Sequence, residues 1–280
     1  MKIFSYFINK TIQYINIILG LPFLIMFYFQ INIGYYYFDK SNDDSIRKSY
    51  ADKAMNYFYK GLDFSLSRNI IYLKNMKIDL EQITIINSNH YHQKDILVLF
   101  HLFNKNKILG HNISSISTSH EMVGFDLKVL RLEKAILVNN TKNDLRSINN
   151  ELLYFERRKY NTALITFFEG IAMVDVKNKL NNLKNLVEPK SLGFQACLNV
   201  IKSKYLYDIN IVYSHENKIL DSKDKNFTLL LFHPKTKIFV DINKYDISEI
   251  TDSQKWIEKL YQIKDKQIEK IIEFIGLSKN

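Results

Sequence analysis

The stretch IINSNHYHQKDILVLF, residues 85–100, places two histidines and an aspartate in a polar interval between two apolar runs. Three explanations are open. A metal site would use His90, His92 and Asp95, but no further cluster of cysteine, histidine and carboxylate residues accompanies them. A proton relay would need only His90 and Asp95, because a carboxylate beside an imidazole fixes its tautomer and stabilises the imidazolium. Ordinary polar residues of a loop are the third explanation.

The spacing of His90 and Asp95 limits the backbone that could bring them together. They are five residues apart, so on a regular helix their side chains would diverge by about 140°. The run 83–86 has the β-branched character of a strand, and 95–100 begins an apolar helical pattern. Residues 87–94 are therefore expected to form a turn that enters a helix, and across such a turn the two side chains can face each other.

Two further stretches place chemical groups at the ends of predicted elements. The run 163–170, ALITFFEG, ends an apolar strand in Glu169-Gly170, a carboxylate beside a residue that permits close backbone approach. The run 187–194, VEPKSLGF, joins a turn to a helix, where backbone N–H groups and Lys190 could hold an anion. Taken alone, the first stretch is better explained as a strand followed by a plain turn, and the second has a plain loop and helix cap as its alternative explanation. Together they are informative, because ligands of open α/β sheets bind at the carboxyl ends of strands.

The elements that must position these groups alternate along the chain. Short β-branched runs predict strands at 83–86, 135–138, 163–168, 208–213 and 227–232. Apolar spacing predicts helices near 45–75, 94–104, 120–131, 143–159, 191–204 and 252–276. Strands that alternate with helices are typical of α/β proteins, so we expect a mixed sheet flanked by helices.

Composition limits the partners of the chain. With 280 residues, 46% of them hydrophobic and 24% charged, the chain can bury a sizeable core. Its net charge of +10 would attract phosphate groups on anionic lipid, nucleic acid or a cofactor. We expect no nucleic-acid partner, because the sequence has no helix-turn-helix, zinc or RNA-binding signature. The lone Cys197 excludes an intrachain disulfide framework.

An uncharged segment precedes these elements. Residues 11–38 contain no charged side chain, and a helix needs about 20 mostly apolar residues to cross a bilayer. We predict an N-terminal membrane-anchoring hydrophobic helix, which Pro22 could turn back as a re-entrant hairpin. A buried core helix is the alternative. The predicted divisions are a membrane anchor at 1–40, a connecting amphipathic helical region at 41–75 and the main domain at 76–280.

Taken in order, the motifs resemble those of the glycerophospholipid acyltransferases, the 1-acyl-sn-glycerol-3-phosphate acyltransferase family. Asn89-His90 with Asp95 matches the family motif N-H-x4-D. The run 167–170, FFEG, resembles F-P-E-G, and 188–194, EPKSLGF, resembles the later P-K-[ST]-x-G-F element. Two further segments, 123–139 and 256–266, resemble the family's second block and the closing helix of its lysocardiolipin-acyltransferase-like branch.

This resemblance implies that residues 76–280 have a glycerolphosphate-acyltransferase-like fold and transfer an acyl group from acyl-CoA to the free hydroxyl of a lysophospholipid. The first expected acceptor is 1-acyl-sn-glycerol-3-phosphate (lysophosphatidic acid), which would give phosphatidic acid. His90 would be the general base, and Asp95 would orient it. The residues expected to contact substrate are Asn89, Glu169, Gly170, Pro189, Lys190 and Gly193. The resemblance implies no metal and no cofactor beyond the co-substrate acyl-CoA. It also implies a location at the membrane bilayer, with the endoplasmic reticulum as the expected membrane.

The departures from the family pattern concern the phosphate of the acceptor. Phe168 replaces a proline, Ile171-Ala172 a Thr-Arg pair, and Asn139 an arginine of the second block. In the family, those arginines and that threonine are thought to hold the phosphate. The cations that could replace them are Arg157, Arg158, Lys177 and Lys190. Lysocardiolipin or lysophosphatidylinositol is therefore an alternative acceptor, and an inactive membrane lipid-binding relative is an alternative of another class.

Overall fold

The computed structural model describes residues 21–23, 25–33, 36, 44–74, 76–118, 135–138, 144–157, 161–170, 172–173, 183–248 and 250–277. Its helices are α1 (Asp44–Leu66), α2 (Asp95–Lys105), α3 (Asp144–Glu156), α4 (Ser191–Val200), α5 (Phe227–Leu231) and α6 (Ser253–Leu277), with a 3-10 helix at Gly110–Asn112. Its strands are β1 (Ile70–Tyr72), β2 (Ile83–Ser88), β3 (Ile113–Thr118), β4 (Ile136–Val138), β5 (Thr162–Thr166), β6 (Tyr205–His215), β7 (Lys218–Ile219) and β8 (Thr236–Asp246).

The strands form one mixed sheet. Its order is β1-β8-β6-β2-β5-β3-β4, and β7 pairs with β6 outside this path. The pairs from β6 through β2, β5 and β3 to β4 are all parallel, whereas β8 is antiparallel to β6. Parallel neighbours require crossover connections, which place helices on the faces of the sheet. The predicted α/β fold with a mixed sheet and flanking helices is confirmed, and the carboxyl ends of β2, β3 and β5 lie at one edge.

Helices cover both faces of the sheet. On one face α1 and α2 pack against it, so that Met55 and Phe103 share a core with Ile86. On the other face lie α3, α4 and α6, where Phe194 and Ile257 share a core with Ile85. Neighbouring residues of β2 point to opposite faces, as the pleat of a strand requires. Every residue of β2 is buried, so the strand that leads into the turn at 89–94 is held from both sides.

Most predicted elements are present, but the strand predicted at 227–232 is wrong. This run forms the helix α5. Phe227 and Leu231 are four residues apart and buried, while Leu229 between them is 60% exposed. Burial at an interval of four residues is the pattern of a helix, because a strand would bury every second residue. The helix predicted near 120–131 lies outside the described residues.

The strands β3 and β8 were not predicted because polar residues interrupt their apolar pattern. Ser114 and Ser115 of β3 are buried. In β8, Asn243 donates from its side-chain amide to Asp241 at 3.0 Å and to Gln267 of α6 at 3.3 Å. A strand can carry polar residues on a covered face when the helix above it supplies polar partners. The helix predicted at 45–75 ends at Leu66, and β1 follows it.

The predicted membrane anchor at 1–40 lies partly outside the described residues. Residues 21–23 and 25–33 are helical. Within this helical stretch Phe27 is buried against Phe58 of α1, with 4.7 Å between the ring centroids. Across the described part of the chain, no helix has the length and hydrophobicity needed to cross a membrane. The anchor and the divisions at 40 and 75 stay predictions.

Candidate active site

The turn that follows β2 is fixed by the backbone of β6. The side-chain amide of Asn89 donates to the carbonyl of Ile211 at 3.0 Å, and its oxygen accepts from the Ile211 N–H at 2.7 Å. The N–H of Asn89 also donates to the carbonyl of Ile209 at 3.3 Å. Asn89 is buried and continues the pairing of β2 with β6 by one step. It therefore sets the start of the turn, and its predicted contact with substrate stays a prediction.

The turn brings His90 and Asp95 together, as their spacing predicted. His90 Nδ1 lies 3.4 Å from Asp95 Oδ2. This distance is long for a hydrogen bond, but catalytic pairs are often loose in the absence of substrate. The side chain of Asp95 is fully buried at the first residue of α2, whereas that of His90 is 21% exposed. An ionised carboxylate can only accept, so in a hydrogen bond between this pair Nδ1 would be the donor, and the lone pair of a neutral imidazole would then be on Nε2.

His92 belongs to the scaffold of the turn. Its backbone N–H donates to Asp95 Oδ2 at 2.9 Å, and its Nδ1 accepts from the N–H of Lys94 at 3.1 Å. Its ring stacks on Phe227 of α5 with 4.0 Å between the centroids. No group of three or more histidine, cysteine or carboxylate side chains in the described ranges could hold a metal ion. The metal interpretation of the three residues thus receives no support from their positions.

A residue that the sequence did not single out completes the surroundings of Asp95. Tyr213, near the end of β6, donates its hydroxyl to Asp95 Oδ1 at 2.6 Å. Its side chain is buried. Burial and the neighbouring charge of Asp95 raise the pKa of Tyr213 well above its ordinary value, so the hydroxyl keeps its proton. The two oxygens of Asp95 are therefore bound separately, one by the turn and one by the sheet.

Glu169 reaches the same turn from the end of β5. Its Oε1 accepts from the backbone N–H of His90 at 3.3 Å, and the ring of Phe167 stacks on the imidazole with 4.2 Å between centroids. Glu169 is buried, and this burial raises its pKa to about 8. The charge of Lys264 and the N–H of His90 oppose the rise. The motif after β5 thus contacts the motif after β2, as expected for neighbouring parallel strands.

The raised pKa of Glu169 predicts that stability declines with pH. The folded protein retains a proton that the unfolded chain loses between the ordinary value of 4.5 and about 8, so stability falls as pH rises through that window. Glu169→Gln keeps the shape and removes this titration. Relative to wild type, the variant should gain up to roughly 1 kcal/mol of unfolding free energy per pH unit within the window. Urea denaturation at several pH values measures it.

Glu188→Gln is the matched control, because Glu188 is exposed. Its unfolding free energy should follow wild type at every pH. If the free energies of unfolding of wild type and Glu169→Gln depend on pH in the same way, Glu169 is ionised in the folded protein, contrary to the prediction.

Beneath Glu169 lies a buried polar network that the sequence did not reveal. Lys264 of α6 donates to Asp208 Oδ1 of β6 at 2.6 Å and to the carbonyl of Ile209 at 3.0 Å. Asn87 of β2 donates to the same Asp208 oxygen at 2.6 Å and accepts from the N–H of Phe168 at 3.3 Å. Both Lys264 and Asp208 are completely buried. The network therefore connects α6 to the strand ends that carry His90 and Glu169.

The segment 187–194 lies against the turn at Glu169-Gly170. The N–H of Lys190 donates to the carbonyl of Phe168 at 2.6 Å. Gly170 has a φ of 68°, and an added Cβ would lie 3.0 Å from Lys190 Nζ. Glycine is required there both for its backbone conformation and because the lysine lies above it. Pro189 is partly buried beside Lys190. Gly193 is in α4, and a Cβ added to it would meet no atom within 4 Å.

The candidates for the missing arginines occupy different places. Lys190 lies at the site. Arg157 follows α3, whose last residue Glu156 accepts a hydrogen bond from Gln82 just before β2, so Arg157 lies at the opposite edge of the sheet. The prediction that Arg157 could supply the charge of a missing arginine is therefore wrong. Arg158, Lys177 and Asn139 lie outside the described residues. Ala172, where the family has an arginine, is buried.

A cavity of about 260 Å³ opens beside the turn. It lies along β6 beyond the end of β2, and Asn89 and Met173 form its wall nearest to His90. The N–H of Met173 donates to the carbonyl of His90 at 2.7 Å. Its apolar wall includes Ile211, Val212, Ile268 and Ile272, and Lys184 and Asp221 also line it. An apolar cavity beside polar groups is the usual form of a small-molecule site.

Comparison with known proteins shows similarity to solved structures, and it is a similarity of fold. No family model matches the sequence, and no curated protein matches it. A solved structure that is similar is the crystal structure of the 1-acyl-sn-glycerophosphate (LPA) acyltransferase PlsC from Thermotoga maritima. The TM-score is 0.55 at 13% identity, over 91% of this chain and 97% of that one. The chain has a PlsC-like fold. The glycerolphosphate-acyltransferase-like architecture is thus supported, and the lysocardiolipin-acyltransferase-like branch stays a prediction.

Proposed function

We propose that the protein transfers an acyl group from acyl-CoA to the free hydroxyl of a lysophospholipid, with 1-acyl-sn-glycerol-3-phosphate as the preferred acceptor. The observation that carries this proposal is the His90–Asp95 pair at the carboxyl edge of a PlsC-like sheet. The pair has an accessible imidazole and a fully buried carboxylate, the arrangement that general-base catalysis requires. The product would be phosphatidic acid.

The proposed chemistry is a direct transfer. His90 Nε2 takes the proton of the acceptor hydroxyl as the oxygen attacks the thioester carbonyl, and the imidazolium returns a proton to the departing CoA thiolate. Asp95 stabilises the imidazolium through Nδ1. No acyl-enzyme is formed on cysteine in this scheme, because Cys197 is buried and burial raises its pKa to about 12. A thiol in that setting is a poor nucleophile.

Lys190 is the proposed partner of the acceptor phosphate. Its side chain lies over Gly170 and is exposed. Its backbone is bonded to the neighbouring turn at Phe168, and Glu169 of that turn contacts the His90 backbone. An ammonium group there can bind a phosphate as a point charge, in place of the planar, bidentate guanidinium groups of the missing arginines. The apolar cavity beside Met173 is where we place the acyl chain.

Lys190→Met is expected to raise KM for lysophosphatidic acid about tenfold, since a charged hydrogen bond to phosphate contributes roughly 1.5 to 3 kcal/mol. The rate at saturating acceptor should change little. Steady-state kinetics on mixed micelles measures both constants. Lys202→Met, an exposed lysine just before β6 at the opposite edge of the sheet, is the control and should leave KM unchanged. Equal KM values for the two variants would exclude Lys190 as the phosphate partner.

The proposed function is tested by following labelled acyl-CoA in vesicles with a panel of lysophospholipids. Transfer to lysophosphatidic acid supports the proposal as stated. Transfer only to lysocardiolipin or lysophosphatidylinositol keeps the chemistry and changes the acceptor. No transfer to any acceptor by folded protein would favour the inactive lipid-binding alternative.

We also propose that the chain works at a membrane surface, with the endoplasmic reticulum as the proposed location. The helical residues 21–23 and 25–33 expose Leu21, Ile25, Met26, Tyr28, Phe29 and Ile33. Adjacent exposed apolar side chains are typical of surfaces that contact lipid or protein. Co-sedimentation with anionic vesicles tests this proposal.

A further inference from the structure

Tyr213 and Asp95 form a buried hydrogen bond on the side of the carboxylate that does not face His90. The hydroxyl of Tyr213 lies 2.6 Å from Asp95 Oδ1. The other oxygen, Oδ2, accepts from the N–H of His92 at 2.9 Å and faces His90 Nδ1 at 3.4 Å. Tyr213 is 1% exposed and Asp95 is 0% exposed. The carboxylate is therefore hydrogen-bonded on two sides, to the turn through Oδ2 and to β6 through Oδ1.

We propose that Tyr213 is a positioning residue, which holds the Asp95 carboxylate at the angle that directs Oδ2 to His90 Nδ1. This inference rests on the proposed function for its effect on rate. Its effect on the imidazole does not depend on that function, because the tautomer of His90 is a property of the folded protein.

The physical reason lies in the freedom of a carboxylate. Rotation about the last bond of an aspartate side chain has broad minima, so its oxygens are poorly fixed without partners. The contact from Oδ2 to His90 is already long, and a modest rotation would break it. The hydroxyl of Tyr213 opposes that rotation. The backbone of Tyr213 is itself held, because it pairs with Ile238 of β8 and its carbonyl accepts from the N–H of Leu220 at 3.0 Å.

Tyr213 is the residue that donates a hydrogen bond to Asp95 Oδ1, and the groups around Asp95 offer no substitute for it. The ionisable residues near Asp95 include His90, Tyr91 and His92 of the turn, Tyr213 of β6 and Glu169 after β5. The Tyr91 hydroxyl donates elsewhere, to the carbonyl of Leu220 at 2.7 Å. Without the Tyr213 hydroxyl, Oδ1 would be a buried acceptor with no replacement donor among these groups.

Tyr213→Phe tests the inference. The substitution removes the hydroxyl and keeps the ring, so the wall that Tyr213 gives to the cavity is retained. We expect kcat to fall about 10- to 100-fold while KM for both substrates stays within about twofold, since a hydrogen bond to a charged group is worth that factor. Imidazole 15N spectra, with the His90 signals assigned by comparison with His90→Gln, should show Nδ1–H in wild type and a mixture of tautomers in the variant.

Tyr59→Phe is the matched control. Tyr59 is also buried, and its hydroxyl donates to the carbonyl of Ile108 at 3.2 Å, beyond the far end of α2 from Asp95. It should keep wild-type kcat and the wild-type imidazole spectrum. A second measurement needs no tyrosine variant: the wild type should show a slowly exchanging tyrosine hydroxyl proton that disappears in Asp95→Ala.

The outcomes separate the inference from the proposed function. Wild-type kcat and unchanged His90 signals in Tyr213→Phe would overturn the positioning role, as would the absence of the slowly exchanging proton. A wild-type protein that transfers no acyl group, but whose His90 tautomer still depends on Tyr213, would overturn the function and support the inference. An equal loss of kcat in Tyr59→Phe would show that the effect is general to buried hydroxyls and would also overturn it.

Discussion

His90→Ala should lower kcat for acyl transfer by about a thousandfold and leave KM for both substrates nearly unchanged. General-base catalysis by a positioned side chain contributes roughly 10²- to 10⁴-fold, and the alanine has no group that could take the proton. The His90 ring is partly exposed, and its removal leaves the buried carboxylate of Asp95 bound to Tyr213 and to the His92 N–H. Initial rates with labelled acyl-CoA, at saturating and limiting acceptor, separate kcat from KM.

The chain supplies a demanding control for this prediction. His111 and Asp52 form a second histidine–aspartate pair, and its distance of 2.7 Å is shorter than that of the candidate pair. His111 lies in the 3-10 helix just before β3, at the edge of the sheet opposite to the turn after β2. Because location, and not distance, distinguishes the two pairs, His111→Ala should retain the wild-type kcat. Loss of activity in His111→Ala but not in His90→Ala would place the chemistry at the other edge.

Local spacing was enough to predict the parts of the site that are close in sequence. His90 and Asp95 are joined by one turn, and the strand before it and the helix after it both have strong apolar patterns. The Glu169 turn follows the neighbouring parallel strand, so the sheet itself brings it to the same edge. In such cases the backbone geometry of one or two elements fixes the position of the side chain, and sequence periodicity reports that geometry.

The parts of the site that come from distant elements could not be predicted. Tyr213 has the appearance of a core residue in an apolar strand, and its contact with Asp95 depends on the pairing of β6 with β2. Lys264 has the appearance of a surface lysine in a charged helix, yet it is completely buried. The register of α6 on the sheet decides its partner, and no local pattern encodes that register. The same tertiary context made α5 a helix where β-branched and aromatic propensity predicted a strand.

Lys264→Met should lower the free energy of unfolding by about 3 to 5 kcal/mol, the usual cost of leaving one partner of a buried ion pair without the other. Asp208 would keep Asn87 as a donor but would lose the ammonium group. Burial raises the pKa of Asp208 even with Lys264 present, and loss of the lysine would raise it further. When the pKa of a carboxyl group is higher in the folded than in the unfolded state, the protein loses stability as pH rises above the unfolded pKa. The stability lost by Lys264→Met should therefore be larger at neutral than at acidic pH.

The double variant Lys264→Met with Asp208→Asn distinguishes the charge from the packing. An asparagine can still accept from Asn87 and carries no charge, so the double variant should recover most of the stability that Lys264→Met loses. Lys266→Met, at an exposed position of the same helix, should change the unfolding free energy by less than about 0.5 kcal/mol. Equilibrium urea denaturation of the wild type, Lys264→Met, Asp208→Asn and the double variant gives the coupling energy between the two side chains. If the double variant is as unstable as Lys264→Met, the loss arises from the packing of the lysine stem and its bond to the Ile209 carbonyl, and not from an unpaired carboxylate.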